Sequence, residues 1–175
     1  MERIITVVEL AAYAPRYKEE TLQRMADFFG YHRGLYDGSV SKNDFAASQE
    51  TMETLERWGS ADHALYVIFA DAVSVGFVHI GFRGGNVAWI EDIYVDRQHR
   101  GRGIASQAIQ RAEETIAQNE AYDAVCMDVA PRNAEALRLY HRLGYRNLSM
   151  ITLRKELYEN DRDKDLHLLG LDFKY

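Results

Sequence analysis

Cysteine is almost missing from this chain: Cys126 is the only one in 175 residues. An intrachain disulfide is therefore excluded, and a reducing compartment is expected. Proline is nearly as scarce, with two residues, and no Pro/Ser/Gly-rich stretch marks a linker. The chain reads as one domain, 1–175, large enough to bury a core without staples. Long apolar runs are missing too. None approaches membrane-spanning length, and the apolar part of MERIITVVEL is too short for a signal peptide, so a cytoplasmic protein with no membrane partner is expected. Net positive charge is absent, with 27 acidic residues against 21 basic ones, a balance of −6. A general nucleic-acid binder needs a basic field over a whole face, so no nucleic-acid partner is expected, and cationic or neutral small molecules fit better. The six histidines show no metal-ligand spacing, so no metal is expected. His79 reads as a satisfied core or surface histidine, and Cys126 as core packing.

What is present has clear periodicity. RIITVVEL (3–10) is rich in β-branched residues and predicts a strand. A helix is predicted from Pro15 to about Phe29, and a second from Ser41 to about Trp58. Between them GYHRGLYDGS (30–39), with three glycines and two tyrosines, reads as a mobile loop. ALYVIFA (64–70), VSVGFVHIGF (73–82) and VAWIEDIYV (87–95) are three strands, joined by the Asp71-Ala72 turn and RGGN (83–86) into an antiparallel meander. Ile104, Ala105, Ala108, Ile109, Ala112 and Ile116 follow helical spacing over 103–117. AVCMDVA (124–130) predicts a strand, Asn133 to Leu143 a helix closed by Gly144, and 145–157 another strand. The tail 166–175 predicts a last strand or edge, with room for a homodimer. The order β-α-α-β-β-β-α-β-α-β is that of an α+β fold with a mixed, mostly antiparallel central sheet flanked by helices.

Positive charge is concentrated in RQHRGRGIAS (97–106), between a strand and a helix. A helix N-terminus offers unpaired N–H groups and partial positive charge, which together attract phosphate. Gly101 and Gly103 permit close backbone approach, and Arg100 and Arg102 would add charge-assisted hydrogen bonds. From these residues alone a phosphate cradle and an ordinary exposed turn both remain open.

RGRGIA (100–105) fits the pattern Q/R-x-x-G-x-G/A and resembles the pyrophosphate-binding loop of the GCN5-related N-acetyltransferases. NAEALRLYHRLGY (133–145) resembles that family's second motif, N-x-x-A-x-x-x-Y followed by L-G-[YF]. One helix and one strand separate the two, as in the family, and the resemblance covers roughly residues 63–155. It implies acetyl-CoA as co-substrate, in a wedge where the strands ending at Val95 and Val129 splay apart. Ile93, Tyr94 and Val95 would meet the pantetheine and thioester. Arg100, Gly101, Arg102, Gly103, Ile104, Ala105 and Ser106 would hold the pyrophosphate, chiefly by backbone amides. Asn133, Ala136 and Tyr140 would line the pantetheine end, with Tyr140 as the acid that protonates the departing thiolate. Asn133 also sits where a helix N-cap belongs.

Glu91 and Asp92 interrupt an otherwise apolar strand. Buried carboxylates are costly unless paired or used, and burial disfavours the charged form, which makes a better base. Strand alternation places the two on opposite faces. Glu91 is the first candidate base and Asp92 its companion, while Asp128, water, or a structural ion pair of Glu91 with an arginine remain alternatives. IEDIYV is similar to the E-D-x-x-V segment of spermidine/spermine-type diamine acetyltransferases, whose matching glutamate is a proposed base. Asp37, Glu50 and Glu53 would help bind cationic groups. The expected function is direct acetyl transfer from acetyl-CoA to a primary amine, a polyamine or other cationic small molecule. An aminoglycoside, a protein or peptide amine, and a non-catalytic acyl-CoA-binding or regulatory domain stay as alternatives.

Overall fold

The computed structural model describes residues 6–37, 49–155, 157–158 and 164–175. They fall into two compact units, Met1–Asp128 and Val129–Tyr175.

The first unit is built on a five-stranded sheet: β1 (Val8–Ala12), β2 (His63–Ala70), β3 (Val73–Gly81), β4 (Val87–Val95) and β5 (Ala124–Cys126), in that spatial order. The first four are antiparallel neighbours and β5 joins β4 in parallel. Asp71 and Ala72 both have positive φ, the mirror-image turn whose twist suits a two-residue hairpin. Gly84 and Gly85, with φ of 89° and 73°, turn β3 into β4.

β3 is buried on both faces, with Phe77, Val78, His79 and Ile80 all at most 2% exposed. One face carries Leu65, Phe77 and Tyr94 against Met25 and Phe28 of α1 (Lys18–Asp37) and Leu55 and Trp58 of α2 (Gln49–Trp58). The opposite alternation is left to α3 (Ile104–Ala117), which packs on β1, β3 and β4 through its buried stripe Ile104, Ala108, Ile109, Ala112 and Ile116.

Several elements differ from expectation. The first strand begins at Val8, and residues 3–5 lie outside the described ones. Pro15–Tyr17 form a 3-10 turn, after which α1 runs on to Asp37. The expected loop at 30–39 is therefore helical as far as residue 37. Its glycines and tyrosines lower helix propensity, but aromatic packing of Phe28 on His32 and of Phe29 on Trp58 outweighs it. The remainder, 38–39, and the expected helical stretch 41–48 lie outside the described residues. The expected strand 124–130 ends at Cys126, because β5 pairs with β4 only at Val87–Trp89.

The second unit holds α4 (Ala134–Leu143) and a separate hairpin of β6 (Asp165–Leu168) and β7 (Leu171–Lys174). Residues 145–155 form no strand, although they alternate as one. The side chains of Leu148, Met150 and Leu153 are more than two-thirds exposed, so no face gains from burial. The tail supplies both strands of the hairpin, turning at Leu169 and Gly170.

Candidate active site

The site begins with a register shift. His79 pairs with Asp92 and Ile80 with Ile90, so Glu91 is an extra residue, a β-bulge in β4. His79 and Ile80 point to opposite faces, and their partners must do the same. Asp92 is thereby turned onto the α1/α2 face. Glu91 lies on that face as well: a Cβ on Gly81, two residues along from His79, would collide with the Glu91 carboxylate. Strand alternation placed the two carboxylates apart; the bulge puts them side by side.

Each has a distinct partner. Both Glu91 oxygens are taken by Arg83, Nε to Oε1 at 2.7 Å and NH2 to Oε2. Arg83 also reaches Asp128 Oδ2 at 3.2 Å and lies 4.0 Å over the Trp89 ring. These carboxylates push the Arg83 pKa upward, the Glu91 hydrogen bond being the largest cause. The arginine partner of Glu91 is thus the residue that opens the β3–β4 turn. Asp92 Oδ2 instead meets His79 Nδ1 at 2.8 Å, and His79 Nε2 meets His63 Nδ1 at 2.9 Å. Trp58 stacks on the His79 ring at 4.1 Å. His79 is the satisfied core histidine the sequence suggested, but its place beside a candidate base was not legible. The meander makes these strands neighbours but does not set their register across a bulge, so His63, His79 and Arg83 had no signal that joined them to Asp92 and Glu91. His32 of α1 lies near enough for Asp92 to raise its pKa, though burial outweighs this and lowers it.

The far half of β4 presents its backbone. Asp96 N–H donates to Val75 C=O at 2.8 Å, which makes Gly76–Val95 a pair whose own N–H and C=O groups point apart. By alternation, Ile93 and Val95 aim theirs toward the β5 side, where no strand pairs with β4 beyond Trp89 among the described residues. Tyr94 differs: its backbone falls in the β3 ladder opposite Phe77, its side chain is core, and burial raises its pKa. Arg24, buried in α1, grips Asp96 at 3.0 Å and the Ser74 hydroxyl and carbonyl, each at 2.8 Å, which holds this end of β4 in place.

Arg97–His99 then make a 3-10 turn into the glycine loop. Gly101 and Gly103 have φ of 75° and 77°, and nothing lies within 4 Å of where their Cβ atoms would be. Gly103 is the N-cap of α3 and supplies no side-chain cap; the helix ladder starts with Gln107 N–H on the Gly103 carbonyl at 3.1 Å. The amides of Ile104, Ala105 and Ser106 are therefore left without helical partners. The arginines are occupied elsewhere. Arg100 Nε donates to the Val95 carbonyl at 2.9 Å and its guanidinium lies over Tyr31 and Tyr94. Arg102 reaches Thr6 Oγ1 at 3.2 Å and Asp71 at 3.6 Å. An open glycine loop on an uncapped 14-residue helix fits a pyrophosphate, and it does so through amides.

In the second unit Asn133 is the N-cap of α4, its Oδ1 accepting from Ala136 N–H at 3.3 Å. Tyr140 lies in the last turn, half-buried, with its ring 6.1 Å from that of Tyr145. Gly144, φ 106°, closes the helix, and Tyr145 N–H returns to the Tyr140 carbonyl at 3.1 Å. Glu50 and Glu53 sit on α2, with Glu53 accepting from Gln49 at 2.7 Å. Among the described residues no group of three potential ligands could hold a metal, and no helix is long and apolar enough to cross a membrane.

Fold and site together present an open glycine loop at a helix start and two carboxylates on the strand that leads into it. The model of the acetyltransferase (GNAT) family matches residues 25–145, and the chain belongs to that family. It is 36% identical over 73 residues to the thialysine N-epsilon-acetyltransferase of Mus musculus, a match that spans 42% of this chain and 42% of that relative. Over 137 residues, 75% of this chain and 77% of the relative, it is 25% identical to the streptothricin acetyltransferase of Escherichia coli. A transcriptional regulator from Bacillus halodurans C-125 shares the fold, with a TM-score of 0.66 at 19% identity, over 86% of this chain and 100% of that one.

Proposed function

We propose that residues 1–175 form one N-acetyltransferase domain that moves an acetyl group from acetyl-CoA directly to a primary amine on a cationic small molecule. The observation that carries this reading is the continuity of β4. Its bulge sets two carboxylates on one face, its outer half turns the Ile93 and Val95 backbone toward an edge unpaired among the described residues, and it ends in the open glycine loop. Acetyl-CoA would supply an acetyl group activated as a thioester. The amides of Gly101 to Ser106 would hold its pyrophosphate, the Ile93 and Val95 backbone its pantetheine arm, and the Val95 N–H the carbonyl oxygen as it gains charge. Asn133 and Ala136 complete the pantetheine end in this reading.

An alkylamine with a pKa of about 10 arrives protonated and must lose a proton before it can attack. Asp92 takes that proton. Glu91 is less suited, because both of its oxygens are already bound by Arg83. Glu91 and Asp128 serve instead as a negative field, two carboxylates around one guanidinium, that favours a cationic acceptor. Tyr140 protonates the departing thiolate. Thialysine and streptothricin, named for the two relatives, are amine-bearing molecules that suit this field.

A CoA-release screen over polyamines, thialysine, streptothricin, aminoglycosides, amino acids and peptide N-termini tests the reading. Release with a polycationic amine, lost in Asp92→Asn, is expected. Acetyl-CoA binding without release for any amine would make the chain an acyl-CoA-binding module, and absence of binding would overturn the cofactor assignment.

A further inference from the structure

His63, His79 and Asp92 form a chain of hydrogen bonds that nothing in the family motifs calls for. Cross-strand register builds it. His79 faces Asp92 directly across β3–β4, and His63 stands diagonal to His79, two residues from its β2 partner Leu65. The links are 2.9 Å and 2.8 Å, and Trp58 of α2 covers the His79 ring. His79 is 2% exposed, while His63 is half-buried.

Donor and acceptor counting gives the chain a direction. An ionised carboxylate only accepts, so His79 must donate from Nδ1. A neutral imidazole carries one proton, so His79 Nε2 accepts and His63 Nδ1 donates. His63 Nε2 is then the lone pair at which the chain ends. We infer that His63 and His79 are positioning residues for the acetyl acceptor. Held in matching Nδ1–H tautomers, they fix Asp92 through Oδ2 and leave Oδ1 as the atom that takes the ammonium proton. The balance is simple: R–NH3+ and the Asp92 carboxylate become R–NH2 and the Asp92 carboxylic acid, with both histidines unchanged. This rests on Asp92 being the base of the proposed reaction.

The chain also responds to pH. A proton added at His63 Nε2 keeps its Nδ1–H bond but places a positive charge behind Asp92, which opposes both proton uptake and a cationic acceptor. The groups acting on His63 are His79 from β3, Glu91 from β4, Asp62 from the turn just before β2, and Arg57 from α2; His32 from α1 faces Asp92. Burial, then His79, lowers the His63 pKa below its ordinary value, which favours a neutral His63 ring at neutral pH.

Two measurements on the full chain test the inference. Two-bond proton–nitrogen NMR of 15N-histidine-labelled protein at pH 7.5 should show His63 and His79 as Nδ1–H tautomers, and Asp92→Asn should change the His79 pattern. An Nε2–H tautomer at either ring, or no response to Asp92→Asn, overturns it, whatever the activity. The second measurement is kcat/KM for spermidine against pH. His63→Asn keeps a donor near the Nδ1 position without a titrating ring. It should retain the alkaline plateau within about threefold and carry the acid limb to lower pH, the limb that remains being that of the base itself, whereas His63→Leu should lower the plateau about tenfold. An acid limb unchanged in His63→Asn would remove His63 from the mechanism. If wild-type protein releases no CoA with any amine, the proposed activity fails, and the tautomer assignment is judged by NMR alone.

Discussion

Helices α3 and α4 begin in opposite ways. At α4, Asn133 folds its side chain back onto the Ala136 amide, so the helix satisfies part of its own start. At α3, a glycine in the left-handed region stands at the same position and offers no side chain at all. Every helix start has unpaired N–H groups, which a protein caps, leaves to water or offers to a ligand. In the proposed reaction the capped helix contributes through side chains it carries, Tyr140 above all, and the uncapped one through its backbone. The arginines around α3 reinforce this. Arg100 and Arg102 brace the loop against Val95, Thr6 and Asp71 rather than pointing their charge into it.

The contrast breaks most visibly at Tyr140. Tyr140→Phe should lower kcat about 100-fold, within the range for a lost general acid, and leave the acetyl-CoA dissociation constant within twofold by calorimetry. Unchanged turnover would strip α4 of its chemical part. Gly103→Asp should weaken acetyl-CoA binding about 30-fold, or ~2 kcal/mol, because it forces a side chain into positive φ and sets an anion at the cradle; an unaltered constant would place the cofactor elsewhere. Asn133→Ala should cost about 1 kcal/mol of stability in urea unfolding, with Asn133→Ser recovering most of it. A fall in CoA affinity alongside would show that the cap also touches ligand. The smallest effect belongs to Arg102→Gln, which should change CoA affinity less than about threefold. A tenfold loss there would return the arginines to the cradle and erase the distinction.

Much of this was written in local pattern. The meander, its two turns, the α3 stripe, the Asn133 cap and the Gly144 stop all follow from periodicity and backbone chemistry acting within a few residues. Pattern and structure part where local and tertiary forces disagree. GYHRGLYD has weak helix propensity yet continues α1, held by the His32 ring on Phe28 and by the contact of Phe29, one residue before it, with Trp58 of α2. Residues 145–155 alternate like a strand, but alternation stabilises only where one face is buried, and here most of the apolar side chains are exposed.

The site divides along the same line. The sequence by itself determined which groups are present: the glycines before α3, the carboxylates of β4, the tyrosine of α4 and the class of cofactor they suit. It could not determine their company. A single extra residue at Glu91 reverses the facing of every residue after it, and that shift exists only relative to β3. Only the tertiary structure therefore decided that Glu91 is spent on Arg83 while Asp92 rests on His79 and His63. Register is a relation between strands, and no single strand encodes it.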